Sequence, residues 1–285
     1  MDLQTEEKLL IIHADDFGMS HSVNEAIFSA FEQGVISSAS IMPPCPWFWE
    51  AADFVVKRED LDIGVHLTFT SEWDTYRWRP LSSQTRAYGL VDQSGAFHKT
   101  SQAIFASEEI VAAEIVGQFT LCRQCGISPS HLDSHMFALF DATRVRSYVT
   151  TAEFLGIKCL LPRFLNGKPR RSSQCGPEVA RVDNLIYATA ELTASSWEKF
   201  YIEQLDNLKP GINQLLVHPG MNDVELNAIT GAAASWGADW RQRDYDVLTS
   251  EIFKEALERN SIKVICWRDL SEMVAAATNL DTVDL

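Results

Sequence analysis

The sequence predicts a parallel α/β fold of seven or eight strands that closes into a distorted barrel. Three observations predict it. Short β-rich runs alternate with helix-length amphipathic segments along the chain. The strand runs are continuously apolar rather than alternating, which marks strands covered on both faces. The 285 residues, 46% of them hydrophobic, are enough for one large core.

Each element follows from its own pattern. "KLLIIHA" is the first strand. "SHSVNEAIFSAFEQG" places Val23, Ile27 and Phe31 four apart, with a Ser22–Glu25 capping box near its start and Gly34 as its stop, so it is a helix. "SSASIMP" and "LDIGVHLTF" give the second and third strands, and "WFWEAADFVVKR" between them is a helix beginning just after Pro46. "SEEIVAAEIVGQFTLCRQCG" carries the helical period through Val111, Ile115, Phe119 and Cys122 and ends at Gly126. Further strands are "PSHLDSH", "IKCLLP", "DNLIYA", "NQLLVHP" and "IKVICW", with helices near 142–155, 196–208, 249–260 and 269–277. The order is β then α, repeated, which implies a parallel sheet with helical crossovers. The stretches near 71–104 and 164–183 lack a period and read as long loops, which in compact folds are usually functional. No linker or low-complexity segment divides the chain, so a single domain over 1–285 is expected.

Charge and cysteine usage narrow the function. The 24 basic and 39 acidic side chains leave a net charge of -15, which opposes binding to nucleic acid or to an anionic membrane surface. No apolar run reaches the roughly 18 residues of a membrane helix, and "MDLQTEEK" puts acids where a secretory signal carries Lys or Arg. A cytoplasmic location is therefore expected. Six cysteines are too sparse for a disulfide scaffold: Cys159 and Cys266 lie inside strand-like runs, and the Cys122/Cys125 pair has no second pair to complete a zinc site.

In parallel α/β folds the active site forms at the carboxyl ends of the strands. There the first strand ends on Asp15 and Asp16, the third on His66 in "GVHLT", the fourth on His131, Asp133 and His135 in "HLDSH", and a late one on His218 in "LLVHPG". Singly, an Asp after a strand is a turn residue and a His at a strand end a hydrogen-bonded rim residue. Their coincidence is not explained that way, since five of the seven histidines lie in or just before these strand ends. One carboxylate and two imidazoles bind a divalent ion and leave positions for water and substrate, while a carboxylate outside that shell can take a proton from the water. The chemistry they suit is metal-assisted hydrolysis. Adjacent aspartates on an extended chain point opposite ways, so one of the pair should bind metal and the other act as base. Trp47, Trp49, Trp73 and Trp78 are candidates to line a sugar site or to pack. A glycosidase using Asp15 with Asp133 as its carboxyl pair is the metal-free competitor.

The blocks "IIHADDFGMSHSVNEAI", "GVISSASIMP", "DIGVHLT", "SHLDSH" and "LLVHPG" resemble the signature blocks of the YdjC-like carbohydrate deacetylases, and the similarity runs from about residue 8 to the "ICWRDL" block. The resemblance implies a distorted barrel of the polysaccharide-deacetylase type, one divalent metal ion, Mg or Zn foremost, and removal of an acetyl group from an N-acetylated mono- or oligosaccharide. Carried over block by block, it puts the metal on Asp16, His66 and His135, the base on Asp15 and the general acid on His218. Arg163 in "LLPR" matches a family arginine that orients the base. His131 competes with His135 as ligand and otherwise acts behind the metal. Family members often follow "HLDSH" with further histidines, whereas Met136, Phe137 and Ala138 stand here, so the pocket beside the metal should be less polar. Hydrolysis of another amide or ester, and sugar binding without chemistry, are the alternative readings. Pairing as a homodimer is left open.

Overall fold

A computed structural model of the chain describes residues 5–83, 87–161, 164–165, 168–169, 179–180, 182–232 and 235–273. The first strand, β1 (Lys8–Phe17), is buried over nearly its whole length. Leu9, Leu10, Ile11 and Ile12 are sealed in the core, each contributing about 1.5–3 kcal/mol of burial. Helix α1 (His21–Glu32) follows, then β2 (Ser38–Ile41), α2 (Phe48–Val56), β3 (Ile63–Leu67) and α3 (Glu108–Gln124). After β4 (His131–Ser134), α4 (Val145–Leu155) and β5 (Lys158–Leu160) come three two-residue strands, β6 (Phe164–Leu165), β7 (Lys168–Pro169) and β8 (Val179–Ala180). The chain continues through β9 (Asn184–Tyr187), α5 (Trp197–Asp206), β10 (Gly211–Val217), α6 (Val224–Thr230), α7 (Ala238–Leu248), α8 (Glu251–Arg259) and β11 (Lys263–Val264).

The main sheet is parallel and ordered β8-β5-β4-β3-β2-β1-β10-β9. Strand β11 joins beside the start of β1, pairing Leu9 with Lys263 and Leu10 with Val264, below the stretch where His13 and Ala14 pair with β2. Among the described residues the end strands β8 and β9 do not pair, so the sheet curls into an open, distorted barrel with helices outside. This is the predicted parallel α/β barrel architecture, except that the expected closure is not made among the described residues. Because every strand runs the same way, Asp15 and Asp16 of β1, His66 of β3 and the end of β4 reach the same rim.

Three local expectations change: the cap of α1, the helices after β10 and the 164–183 stretch. The cap of α1 is Ser20, whose hydroxyl accepts from the Val23 N–H. The Ser22–Glu25 box does not form, because the Ser22 hydroxyl is drawn to Asp223 and Glu225 at 2.7 Å. Helices α6 and α7 were not predicted at all. The 71–104 stretch is an ordered loop: Trp78, Leu90 and Phe97 are buried, and Val91 bridges Phe97. The 164–183 stretch contains the β6–β7 antiparallel pair and β8, and its other residues apart from 182 and 183 lie outside the described ones. Helix forms over 267–273, and the remainder of the expected 269–277 segment also lies outside them.

Candidate active site

The strand ends surround a cavity of about 520 Å³. Asp15 and Asp16 both line it, contrary to the expectation that neighbours on an extended strand diverge. The backbone explains the difference: Asp16 has a φ of 69°, and the β1–β2 register shifts between Ala14 and Phe17. A bulge of this kind re-aims a side chain. Left-handed backbone at non-glycine residues costs roughly 1–2 kcal/mol each, and among the described residues it occurs at Asp16, Met136, Phe137, Trp236 and Ser261. Four of these five line the cavity, and such strain concentrates where function requires a geometry.

Three predicted residues converge. Asp16 Oδ1 lies 3.4 Å from His66 Nε2 and 3.1 Å from His135 Nδ1, the two ring nitrogens are 3.3 Å apart, and the three ligand atoms fall within 4.8 Å of one another. His66 leaves the end of β3. His135 opens a short 3₁₀ turn after β4, and the left-handed Met136 and Phe137 follow it. The far nitrogen of each ring meets a carboxylate: His66 Nδ1 lies 2.7 Å from Asp133 Oδ1, and His135 Nε2 lies 3.1 Å from Glu72 Oε2. A neutral ring that donates there turns a lone pair toward Asp16, and Asp16 Oδ1 is itself buried without a hydrogen-bond partner. These residues fit a divalent cation, with outer carboxylates fixing the tautomer of each imidazole. The field agrees. Burial opposes charge on His66, but Asp133 and Asp15 outweigh it and raise its pKa well above the ordinary value. Burial likewise opposes charge on His135, yet Glu72 and then Asp16 raise it to about 9.

The other Asp16 oxygen accepts from Arg241 Nη2 at 2.6 Å, while Arg241 Nε donates to the Trp236 carbonyl at 2.8 Å. Burial alone would raise the Asp16 pKa; Arg241, followed by the two histidines, holds it well below the carboxylate range. Asp15 Oδ2 is 3.9 Å from His66 Nε2 and 3.7 Å from His218 Nε2, so it stands between the trio and His218. Burial lowers the His218 pKa against the pull of Asp16 and Asp15, which leaves the resting ring neutral. Its loop is pinned by its own N–H, which donates to Asp244 Oδ2 at 2.8 Å.

His131 is not at the mouth. It is buried, stacked on Trp267 with ring centroids 4.4 Å apart, and so close to Gly64 that a Cβ there would meet the ring at 2.4 Å. The geometry brings His135, not His131, to Asp16. Asp133 also lies behind the cavity, and its oxygens face His66 and His13. Of the candidate tryptophans, Trp73 lines the cavity and Trp78 packs in the core, whereas Trp49 is exposed. Arg163 lies outside the described residues.

Sequence reasoning missed Glu72, Arg241 and Asp244. Glu72 follows the "HLT" strand end by a few residues. Arg241 and Asp244 sit three apart between Ala238 and Leu248 on the buried face of α7, and charges at core spacing were the available signal. Among the described residues no helix is long and apolar enough to cross a membrane.

Comparison with known proteins gives a consistent result. The family model described as YdjC-like protein matches residues 9–259. A carbohydrate deacetylase of Thermus thermophilus is 29% identical over 279 residues, covering 93% of this chain and 94% of that one. A chitooligosaccharide deacetylase of Yersinia enterocolitica is 34% identical over 134 residues, 45% of this chain and 49% of that one. The crystal structure of an Enterococcus faecalis protein named for a conjectured role in cellobiose-phosphate cleavage has a TM-score of 0.76 at 25% identity, covering 93% of this chain and 99% of that one.

Proposed function

The chain belongs to the YdjC-like family, and from that premise and the geometry of the site we propose that it is a metal-dependent hydrolase that removes the acetyl group from an N-acetylated mono- or oligosaccharide. The observation that carries the reading is the convergence of Asp16 Oδ1, His66 Nε2 and His135 Nδ1, with the other nitrogen of each ring engaged by Asp133 or Glu72. A divalent ion held there, Mg or Zn foremost, supplies a Lewis acid for the acetyl carbonyl and lowers the pKa of water.

The chain's own residues do the rest. Asp15, which lines the cavity and has no arginine beside it, takes the proton from the attacking water. His218 Nε2 lies 3.7 Å from Asp15 Oδ2, a span that one bridging water can relay the proton across, and His218 then protonates the departing sugar amine. A His218 that is neutral at rest suits this order, because it receives its charge from the reaction itself. Trp73, Tyr187 and Trp236 line the cavity and offer apolar faces to a sugar ring, and the volume is in the range that holds a small ligand. The names of the Thermus and Yersinia relatives support acetylated carbohydrate as the substrate class.

The paired-carboxyl glycosidase is disfavoured, because Asp133 is committed to two histidines behind the cavity. The test is a screen of neutral N-acetylated sugars for acetate release with Mg, Zn, Mn or Co added. Acetate release that stops with chelator and returns with metal is expected. Sugar binding without acetate release, or release indifferent to chelator, overturns the reading.

A further inference from the structure

Behind the proposed metal ligands lies a second buried layer that this mechanism does not use, centred on His13. The ring is fully buried. Its Nδ1 lies 3.1 Å from Ser38 Oγ, and that hydroxyl donates its one proton to Asp62 Oδ1 at 2.7 Å. Asp62 also receives the Ser130 hydroxyl at 3.1 Å and the Arg268 N–H at 3.0 Å, so it is an acceptor throughout. Ser38 therefore has only lone pairs to offer His13, and Nδ1 must be the donor. On the other side, Nε2 lies 3.0 Å from Asp133 Oδ2 and 3.3 Å from Asp15 Oδ1. Asp133 Oδ2 is a carboxylate oxygen in a hydrogen bond with Nε2, so Nε2 must donate as well, while Asp15 Oδ1 has no hydrogen-bond partner and meets the ring at ion-pair distance. The Ser40 hydroxyl, 3.0 Å from both His13 Nε2 and His66 Nδ1, can turn its lone pairs to either ring.

The neighbouring His131 makes the contrast. Ser130 Oγ, 2.9 Å from His131 Nδ1, spends its proton on Asp62 and so accepts from that ring. His131 Nε2 has no hydrogen-bond partner and stays 3.8 Å from Asp133. One hydroxyl-and-carboxylate arrangement thus leaves His131 with a single proton and His13 with two.

We propose that His13 is held as a buried imidazolium, with protons on both ring nitrogens, and that it positions Asp133 behind His66 and sets a positive charge beside Asp15. The positioning role rests on the deacetylase reading above, whereas the protonation of the ring does not. The charges of the layer agree. The carboxylates of Asp15, Asp16, Asp133 and Glu72 face two protein cations, Arg241 and His13, and the balance is that of one divalent ion. With a lone pair on His13 Nε2, Asp133 would lose that donor and keep the one from His66, and Asp15 would have no cation behind it.

The test uses the full chain, stripped of metal and labelled with ¹⁵N-histidine, at neutral pH. The His13 signals are assigned by their loss in His13→Gln, or by through-bond experiments on the unaltered chain should that variant not fold. Both His13 nitrogens are expected at the shifts of protonated nitrogen; a lone-pair nitrogen on His13 overturns the proposal. In the metal-saturated enzyme, His13→Gln should lower kcat about 10- to 100-fold, the usual scale for removing such a support, while KM and metal affinity are essentially retained. A kcat unchanged by that substitution overturns the positioning role. The spectroscopic arm needs no substrate, so failure of the deacetylase reading and failure of this one are separate results.

Discussion

Asp16 gives one oxygen to Arg241 at 2.6 Å and turns the other, which has no hydrogen-bond partner, toward His66 and His135. Asp15 has no arginine; it faces His13, His66 and His218 at 3.3 to 3.9 Å. Identical side chains in adjacent positions are thus prepared for different work. Asp15→Asn should keep the metal and lose turnover by about 10²–10⁴-fold, since an amide cannot accept the proton of the attacking water. Asp16→Asn should weaken metal affinity, so that added metal restores part of its activity. Isothermal titration and metal-dependent kinetics on the two variants check this, and metal rescue of Asp15→Asn instead of Asp16→Asn would reverse the roles. The carboxylates and histidines were legible in the sequence because each ends an apolar run, where a polar residue has no packing reason to be. The bulge that turns both carboxylates inward was not legible, because a left-handed Asp16 leaves no mark in composition or period.

Helix α7 does two jobs with residues one turn apart. Arg241 reaches Asp16 on β1, and Asp244 accepts the His218 N–H together with the Trp197 and Tyr201 side chains at 2.9 and 2.6 Å. The helix therefore couples one rim of the sheet to the loop that carries His218. Arg241→Met removes one partner of a fully buried ion pair, a change that typically costs about 3–5 kcal/mol. The expected result is a large fall in the denaturant midpoint of the metal-free chain, partly recovered on adding metal, because the ion takes over the neutralisation of Asp16. Equal losses with and without metal would mean that Arg241 and the ion do not share that carboxylate. Strands were readable element by element, since burial on both faces makes them continuously apolar. Helices α6 and α7 were not: α6 is only seven residues long, and the sequence of α7, "ADWRQRDYDVL", hides its buried face under charges that belong to the site.

Over the whole molecule, charge sets two further expectations. His13 is fully buried; burial opposes its charge, yet Asp133 and Asp15 raise its pKa from 6.5 to about 9. A pKa raised in the folded state means that the folded chain holds this proton more tightly than the unfolded one. The resulting stability, on the order of 3 kcal/mol, is fully present below pH 6.5 and is lost as pH rises through about 9. Denaturant midpoints of the chelated protein should fall across that window, and His13→Gln should flatten the fall; an identical slope in both would remove His13 as its source. The barrel order was legible from the β-then-α alternation, but its openness was not, because closure depends on which end strands meet, and no strand's own pattern records that. The second expectation concerns the substrate. With a net charge of -15, the chain repels anions at long range, and among the described residues the arginine lining the cavity, Arg241, is already committed to Asp16. A phosphorylated or sulfated N-acetylhexosamine should therefore show a lower kcat/KM than its neutral counterpart. The difference should shrink with added salt, because the screening length falls from about 8 Å at physiological ionic strength to about 3 Å at 1 M. Kinetics of the two sugars across a salt series measure both effects. A preference for the phosphosugar that weakens with salt would instead assign the cavity a local anion site and direct attention to Arg163, Arg170 and Arg171 in the segment between β5 and β8.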